Sequence, residues 1–576
     1  MFGGKVRFGF IVVIILSMTV MAISCKPQFK KGVGMEGGQL TLHTSEFPKS
    51  FNLYVNAAVD ASVVFGLVYD TLLDQDLNTL EYKPLIAKSW TISEDKKEFT
   101  FVIDSRAKWA DGQPITAEDV KFTYDTIMDP KNQSSVMRVF FSRLEPPTVI
   151  DAHTIKFTAK TVHYNNFEML AGLNILPKHL YAGKDFNKDF NMNLPGASGP
   201  YMLSEIKEGR YFVLSRRKDY WARQLPHMKG TYNFAKIKYK VMALDVAFEA
   251  FKRGDFDIYD EISPKRWVTE TDTEHFRKNW IVKQKIYNYA PRGIVGLALN
   301  TRNPLFQDLK VRQALAYLLD RKTIIAKIRF NEEKPITSYF PSLYAGKANN
   351  DMGYNPEKAK SLLAEAGFNR LDKDGVLVNG AGRRLEFSIY YGHDDHEKYL
   401  TIFAESCRQA GVKAKLERLS WATLIKKMDE YKFDTVVIVW TGSLSPDPEQ
   451  LWHSRHLNEV GGSNLSGYNN PKVDRLIDSL APIFDAQKRN VIIKQIDREI
   501  YKDIPYLLFW QPDYSKIFYK NIFGHPKTVT QKYSVGIIKY WWYDPEKVKK
   551  YREAVAKRRA LPPEPLVIRY DDLIRK

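Results

Sequence analysis

Hydrophobic and polar positions follow two periods along this chain, and one apolar run follows neither. From Phe8 to Ile23 no residue is charged; Lys5 and Arg7 precede that run and Cys25 closes it. Further on, a helical period recurs. In ITAEDVKFTYDTIMD, Val120, Tyr124 and Ile127 share a face, and Thr116 with Asp119 predicts a capping box at its start. In YNPEKAKSLLAEAGF, Ala359, Leu362, Leu363 and Ala366 line one side. There Asn355 is the natural N-cap, Pro356 suits the first helical position and Gly367 the exit. Asn470 and Pro471 repeat that beginning in NNPKVDRLIDSL. Strands are marked differently. DKDGVLVNGAGRRLEFSIYY predicts two strands turning through Asn379-Gly380. KFDTVVIVW, dense in β-branched residues, predicts a buried strand that breaks into the polar loop TGSLSPDPEQLW, with Trp440 and Trp452 on either side. Helix and strand patterns alternate throughout, with no repeats and no low-complexity linkers, which predicts an α/β class whose segments fold back into shared domains.

The apolar run is shorter than the ~20 residues of a spanning helix. Its length and basic flank are those of a secretory signal core. Ala22, Ile23 and Ser24 ahead of Cys25 resemble the lipobox of bacterial lipoproteins, in which the cysteine is acylated and becomes the first mature residue. The alternative is an ordinary signal with an incidental cysteine. The lipoprotein reading places residues 1–24 in a signal peptide. It makes the mature protein a body on the periplasmic or cell-surface side of a bacterial membrane, held there by a lipid on Cys25. Only Cys407 remains, in a predicted helix, so no disulfide framework supports the fold.

Charge and motifs narrow the function. The net charge is +19, which raises nucleic acid or an anionic surface as partners. Acids are interspersed among the bases, as in FKRGDFDIYDE, and the one dense basic run, KVKKYREAVAKRR from Lys547 to Arg559, reads as a solvated helix face. No nucleic-acid partner is expected for an exported chain. There is no dinucleotide or phosphate loop, no nucleophile elbow and no H-E-x-x-H, and no cofactor is indicated. Two H-x-x-H pairs, His393/His396 and His453/His456, could chelate a metal if helical, with Asp394 or Asp395 adding a ligand. Those carboxylates equally suit a helix N-terminus. DKDG (Asp372 to Gly375) lacks the rest of a calcium loop and reads as a turn.

A resemblance unites these readings. WADGQPITAEDVKFTYDTIMD (Trp109 to Asp129) is similar to the most recognisable stretch of the family 5 extracellular solute-binding proteins, peptide receptors of ABC importers. LVYDTLL and PLIAKSW precede it; ASGPYMLSEIKEGRYFVLSRRKDYW, AFEAFKRGDFDIYDE, LALNTRNPLFQDLKVRQALAYLLDR, AKSLLAEAGF and SGYNNPKVDRLIDSL follow in the family's order. The likeness covers roughly residues 40 to 545. NTRNPLFQDLKVRQAL and ITSYFPSLYA look most like the Yej-type subgroup, associated with oligopeptides and microcin C. The resemblance implies a two-lobed periplasmic-binding-protein fold of type II with an extra small domain and a discontinuous first lobe. It divides the chain into a tether (25–39), first lobe (40–75, 196–299 and 520–547), extra domain (76–195), second lobe (300–519) and a basic C-terminal tail (548–576). It implies a monomeric, non-enzymatic receptor that closes on an oligopeptide and delivers it to permease subunits. Ligand contacts are expected from Thr44, Ser45, Glu46 and Phe47 and from Val439, Trp440, Thr441, Gly442 and Ser443. Family members commonly place an aspartate for the ligand's amino group where this chain has Ser443; Asp447 or Glu46 could replace it, or no free N-terminus is required. The same fold also admits a nickel chelate, haem or a sugar as ligand, or a role as sensor or adhesin.

Overall fold

A computed structural model describes residues 35–575, apart from 56–58, 345, 347 and 528. The expected signal peptide, Cys25 and most of the tether lie outside the described residues. The first strand, Gln39–Thr44, runs parallel to Lys236–Val241, and Tyr211–Arg216 and Tyr201–Lys207 complete a four-stranded sheet. A second sheet gathers Ile258–Tyr259, Ser515–Lys520, Ile281–Tyr287 and Val567–Arg569. Strands from both chain ends and the middle thus share one body, and Leu40, Ile237, Ile286, Ile517 and Ile568 lie in one buried cluster. Burial of these residues makes the discontinuous topology favourable despite its long loop closures.

The chain leaves this body after Tyr287 and enters a five-stranded sheet, ordered Lys413–Arg418, Glu386–Tyr391, Thr435–Trp440, Ile294–Leu299 and Tyr506–Leu508. The first three strands are mutually parallel; Ile294–Leu299 is antiparallel to both of its neighbours. Side-chain alternation divides the apolar residues between two cores. Leu297, Leu299, Phe387, Ile389 and Val437 enter one, packed under the helices Leu309–Leu318, Pro356–Glu365 and Asp394–Gln409. Ile294, Ala298, Val436 and Ile438 enter the other, under Pro471–Asp478 and Ala486–Asp503. That is why Val436, Val437 and Ile438 are apolar in succession. Cys407 is fully buried in the first core.

A further sheet of Ala87–Ile92, Glu98–Ile103, Thr154–Thr158 and Thr148–Asp151 carries the helix Ala117–Met128. That helix opens with the expected capping box: Thr116 N–H donates to Asp119 Oδ2 at 2.8 Å. Val120, Tyr124 and Ile127 are buried, as the period requires. Asn355 and Asn470 cap their helices through Lys358 N–H and Lys472 N–H.

Two expectations are refined. The hairpin after the second of these helices turns at Asp372–Gly375, where Asp372 Oδ1 accepts from Asp374 and Val376 N–H and Gly375 takes φ +74°. It joins Arg370–Leu371 to Leu377–Val378, and the expected turn through Asn379-Gly380 follows: Val378 bridges Arg384 antiparallel, Asn379 N–H donates to the Arg383 carbonyl and Leu385 N–H to the Leu377 carbonyl, before the chain enters the parallel strand Glu386–Tyr391. The second change is at the C-terminus. Residues 548–576 are not an appended tail: the helix Pro545–Ala556 buries Val548 and Ala554, and Val567–Arg569 extends the second sheet parallel to Ile281–Tyr287.

Candidate ligand-binding site

The strand Thr435–Trp440 ends beside the crossover between the two bodies, and the close approach there is set by glycine. A side chain on Gly293 would place its Cβ 1.6 Å from the Trp440 carbonyl oxygen, and one on Gly442 would meet the Arg292 backbone at 2.6 Å. Ser342 Oγ ties the same loop by accepting from Arg292 N–H at 2.6 Å. These residues wall a cavity of about 100 Å³. Trp440, Thr441, Gly442, Ser443 and Asp447 all line it, so the structure brings together most of the expected second-lobe contacts. Val439, in contrast, points out to solvent, 56% exposed. The cavity's inner wall is aromatic. Trp440 Nε1 donates to Tyr506 Oη at 3.1 Å, and Trp452 meets Tyr339 edge-on at 4.9 Å.

The polar groups of this loop are largely committed. Ser443 Oγ accepts from Ser445 N–H at 3.2 Å and donates to the Ser445 carbonyl. Asp447 Oδ2 accepts from Asn165 Nδ2 at 2.6 Å, and its Oδ1 accepts from Glu449 N–H at 3.0 Å. Burial pushes the Asp447 carboxyl up from its ordinary range. Asn165 belongs to the helix Tyr164–Ala171, which follows the small sheet, and it is one of several ties across that boundary. Arg143 pairs with Glu449 at 3.0 Å, and Arg489 pairs with Glu168 at 2.9 Å while its guanidinium lies 4.0 Å over the Tyr164 ring. Burial, and then the Arg143 charge, lower His163 to about 4, so it is neutral at pH 7. Sequence reading missed this interface; nothing in the spacing of TVHYNNFEML marks Asn165 or Glu168 as contacts for residues 280 or more positions away.

The expected first-lobe contacts sit apart from this cavity, none of them among its lining. Thr44 is buried at the end of its strand and donates to the Glu46 carbonyl at 3.0 Å. Phe47 packs edge-on against Phe51 and Phe212, whereas Ser45 and Glu46 are exposed. The two histidine pairs are engaged separately. His393 caps the helix Asp394–Gln409, and His396 is held low, at about 4, by burial and then by His393. His453 contacts Asp474 and Asp478, and His456 contacts Glu459. Among the described residues no group of three or more His, Cys, Asp or Glu side chains is placed to hold a metal ion.

A cavity at a strand end beside the crossover between two bodies suits a solute-binding protein. A model of the bacterial extracellular solute-binding proteins, family 5, matches residues 81–462, and the chain belongs to that family. It is 26% identical over 556 residues, 88% of this chain and 89% of the relative, to a probable peptide-binding protein, YejA, of Agrobacterium fabrum. The oligopeptide-binding protein AppA of Bacillus subtilis, solved with a nonapeptide, superposes with a TM-score of 0.73 at 25% identity, over 88% of this chain and 99% of that one. NikZ of Campylobacter jejuni, solved with Ni(L-His), shares the fold with a TM-score of 0.70 at 23% identity, over 89% and 98%. The fold is that of the type II periplasmic binding proteins, two-lobed with an extra small domain and a discontinuous first lobe.

Proposed function

We propose that this chain is an extracytoplasmic receptor, without enzymatic activity, that captures oligopeptides in a hinged cleft and delivers them to an ABC importer permease. The observation that carries the reading is the match, over nearly its whole length, of this chain to a binding protein holding a nonapeptide, together with a cavity walled by the backbone-rich loop Trp440–Ser443. An extended peptide is held chiefly through its main chain, and roomy, hydrated pockets then tolerate varied side chains. Trp440, Thr441, Gly442 and Ser443 are proposed as second-lobe contacts. Thr44, Ser45, Glu46 and Phe47 come to the ligand from the first lobe. Cys25 carries the lipid that keeps a monomeric receptor at the membrane.

Native mass spectrometry of the purified protein, with release and sequencing of bound material, tests this. Co-purified peptides are the expected result. A single non-peptide mass, or a metal chelate such as that in the nickel-binding fold relative, would overturn the peptide reading.

A further inference from the structure

The C-terminal helix Pro545–Ala556 has one wet face, and it is basic. Lys549, Lys550 and Arg552 are exposed there and Lys557 at its C-cap, with Glu546 and Glu553 as the acids among them. Lys547 and Arg558 are neutralised by Glu564 and Glu274, but the four exposed cations have no carboxylate partner among the described residues. Their attraction is therefore directed outward.

The position of this face matters as much as its charge. The chain enters the body at Glu36–Gly38, where Gly37 N–H donates to the Asn233 carbonyl and a Cβ on Gly38 would lie 2.4 Å from the Tyr543 ring. Tyr543 stands next to Asp544, the N-cap of the basic helix. It also lines, with Val548, Lys549 and Arg552, an open groove of about 390 Å³ along it. The helix is about 18 Å long at ~1.5 Å per residue, and the stretch from Cys25 to Met35 reaches ~35 Å when fully extended. A body tethered through Cys25 would have the end of the chain that carries these cations within reach of the headgroup layer. Charge attraction over that gap falls off within ~8 Å at physiological salt, so contact, not distant steering, is the relevant state.

We infer that the exposed basic face of Pro545–Ala556 docks on anionic lipid headgroups and sets the receptor's orientation on the membrane. The inference rests on the lipid-anchor reading of Cys25 for its geometry, and the test separates the two. The full protein, isolated from membranes, is labelled at Glu553→Cys; Cys407 is buried and does not compete. It is mixed with vesicles of phosphatidylcholine alone, or with one third phosphatidylglycerol, carrying an acceptor dye on the headgroups. Retention on neutral vesicles reads the lipid. Energy transfer reads the helix.

Transfer is expected to rise on anionic vesicles. It should fall back in a Lys549→Glu/Lys550→Glu/Lys557→Glu variant whose peptide affinity is unchanged. It should also be lost in the unaltered protein as salt goes from 50 to 500 mM. Any association of unlipidated chain with anionic vesicles should weaken about fivefold per cation removed. Equal transfer on neutral and anionic vesicles, with retention intact, overturns the docking face and leaves the lipid standing. Salt-sensitive binding to anionic vesicles alone overturns the lipid and keeps the face. Charge-dependent binding to solubilised permease with no vesicle preference overturns the inference in favour of a protein partner.

Discussion

Ser443 stands where an ionic contact to a ligand amino group would be expected, and its hydroxyl is turned back on Ser445. Asp447, the nearest carboxylate, is held by Asn165 and the Glu449 N–H. A charged hydrogen bond to an ammonium group is worth about 1.5–3 kcal/mol, roughly tenfold to a hundredfold in affinity. With neither residue free to supply it, N-terminal acetylation of a peptide ligand should leave its Kd within about threefold by calorimetry. A loss beyond tenfold would place the amino group at exposed Glu46, and Glu46→Gln would then reproduce the loss. Asp70 gives a second test at this scale. It accepts from Tyr220 Oη at 3.1 Å and is buried, with Oδ2 unpartnered; burial raises its carboxyl to about 8. A raised carboxyl favours the folded state at low pH. That contribution is complete below about 3.8 and is lost as pH rises through about 8. Asp70→Asn should therefore match the parent's stability near pH 4 and exceed it by about 1–3 kcal/mol at pH 9. Equal melting curves at both pH values would show that the carboxyl is already ionised in the fold.

Between elements, the ties from the small sheet's region to the loop behind Trp440 dominate. Arg143 with Glu449 and Glu168 with Arg489 are pairs largely removed from water, and Asn165 holds Asp447 directly behind the cavity wall. Pairs of this kind couple strongly because removing one partner strands the other. A double-mutant cycle on Arg143→Ala and Glu449→Ala should give a coupling of about 1–3 kcal/mol in unfolding. Asn165→Ala should weaken peptide binding about tenfold by releasing the loop; an unchanged Kd would mean that the loop holds its shape alone. Gly442→Ala, which forces a Cβ into the Arg292 backbone, should cost at least as much as a tight overpacking, about 1–3 kcal/mol.

These elements also show what the sequence could convey. Helices beginning at Pro356 and Pro471 were legible because cap, first turn and apolar face are local. The buried strand Thr435–Trp440 was legible for the same reason, whereas the loop residues after it were expected only through the family resemblance. Asn165, Glu168 and Arg489 were not, because each meets its partner only after the chain has folded through both bodies. The Asn379-Gly380 turn was legible as well, while DKDG, read only as a turn, also closes a short hairpin of its own through the Asp372 carboxylate bonded to two N–H groups.

At the scale of the molecule, the C-terminal segment decides how the body holds together. Its basic run dominates the local pattern and hides the three-residue strand Val567–Arg569, which follows the stiff stretch LPPEPL. That strand covers an edge of the second sheet through Lys285, Ile286 and Tyr287, directly before the crossover into the second lobe. Ile568 is buried in the same cluster as Ile286 and Ile517, and Tyr289 Oη donates to Asp571 at 2.9 Å. Removing residues 561–576 would expose the edge of Ile281–Tyr287 and uncover Ile286, losing about 2–4 kcal/mol if Ile568 behaves like other buried aliphatic residues. The cavity proposed as the site lies elsewhere, walled by Arg292, Trp440 to Ser443 and Asp447. The truncated protein should melt several degrees lower, yet bind peptide with a Kd within about threefold at a temperature where it is folded. An unchanged melting temperature would show that the added strand carries no load. A lost affinity in folded protein would show that the strand fixes the crossover on which the cavity is built.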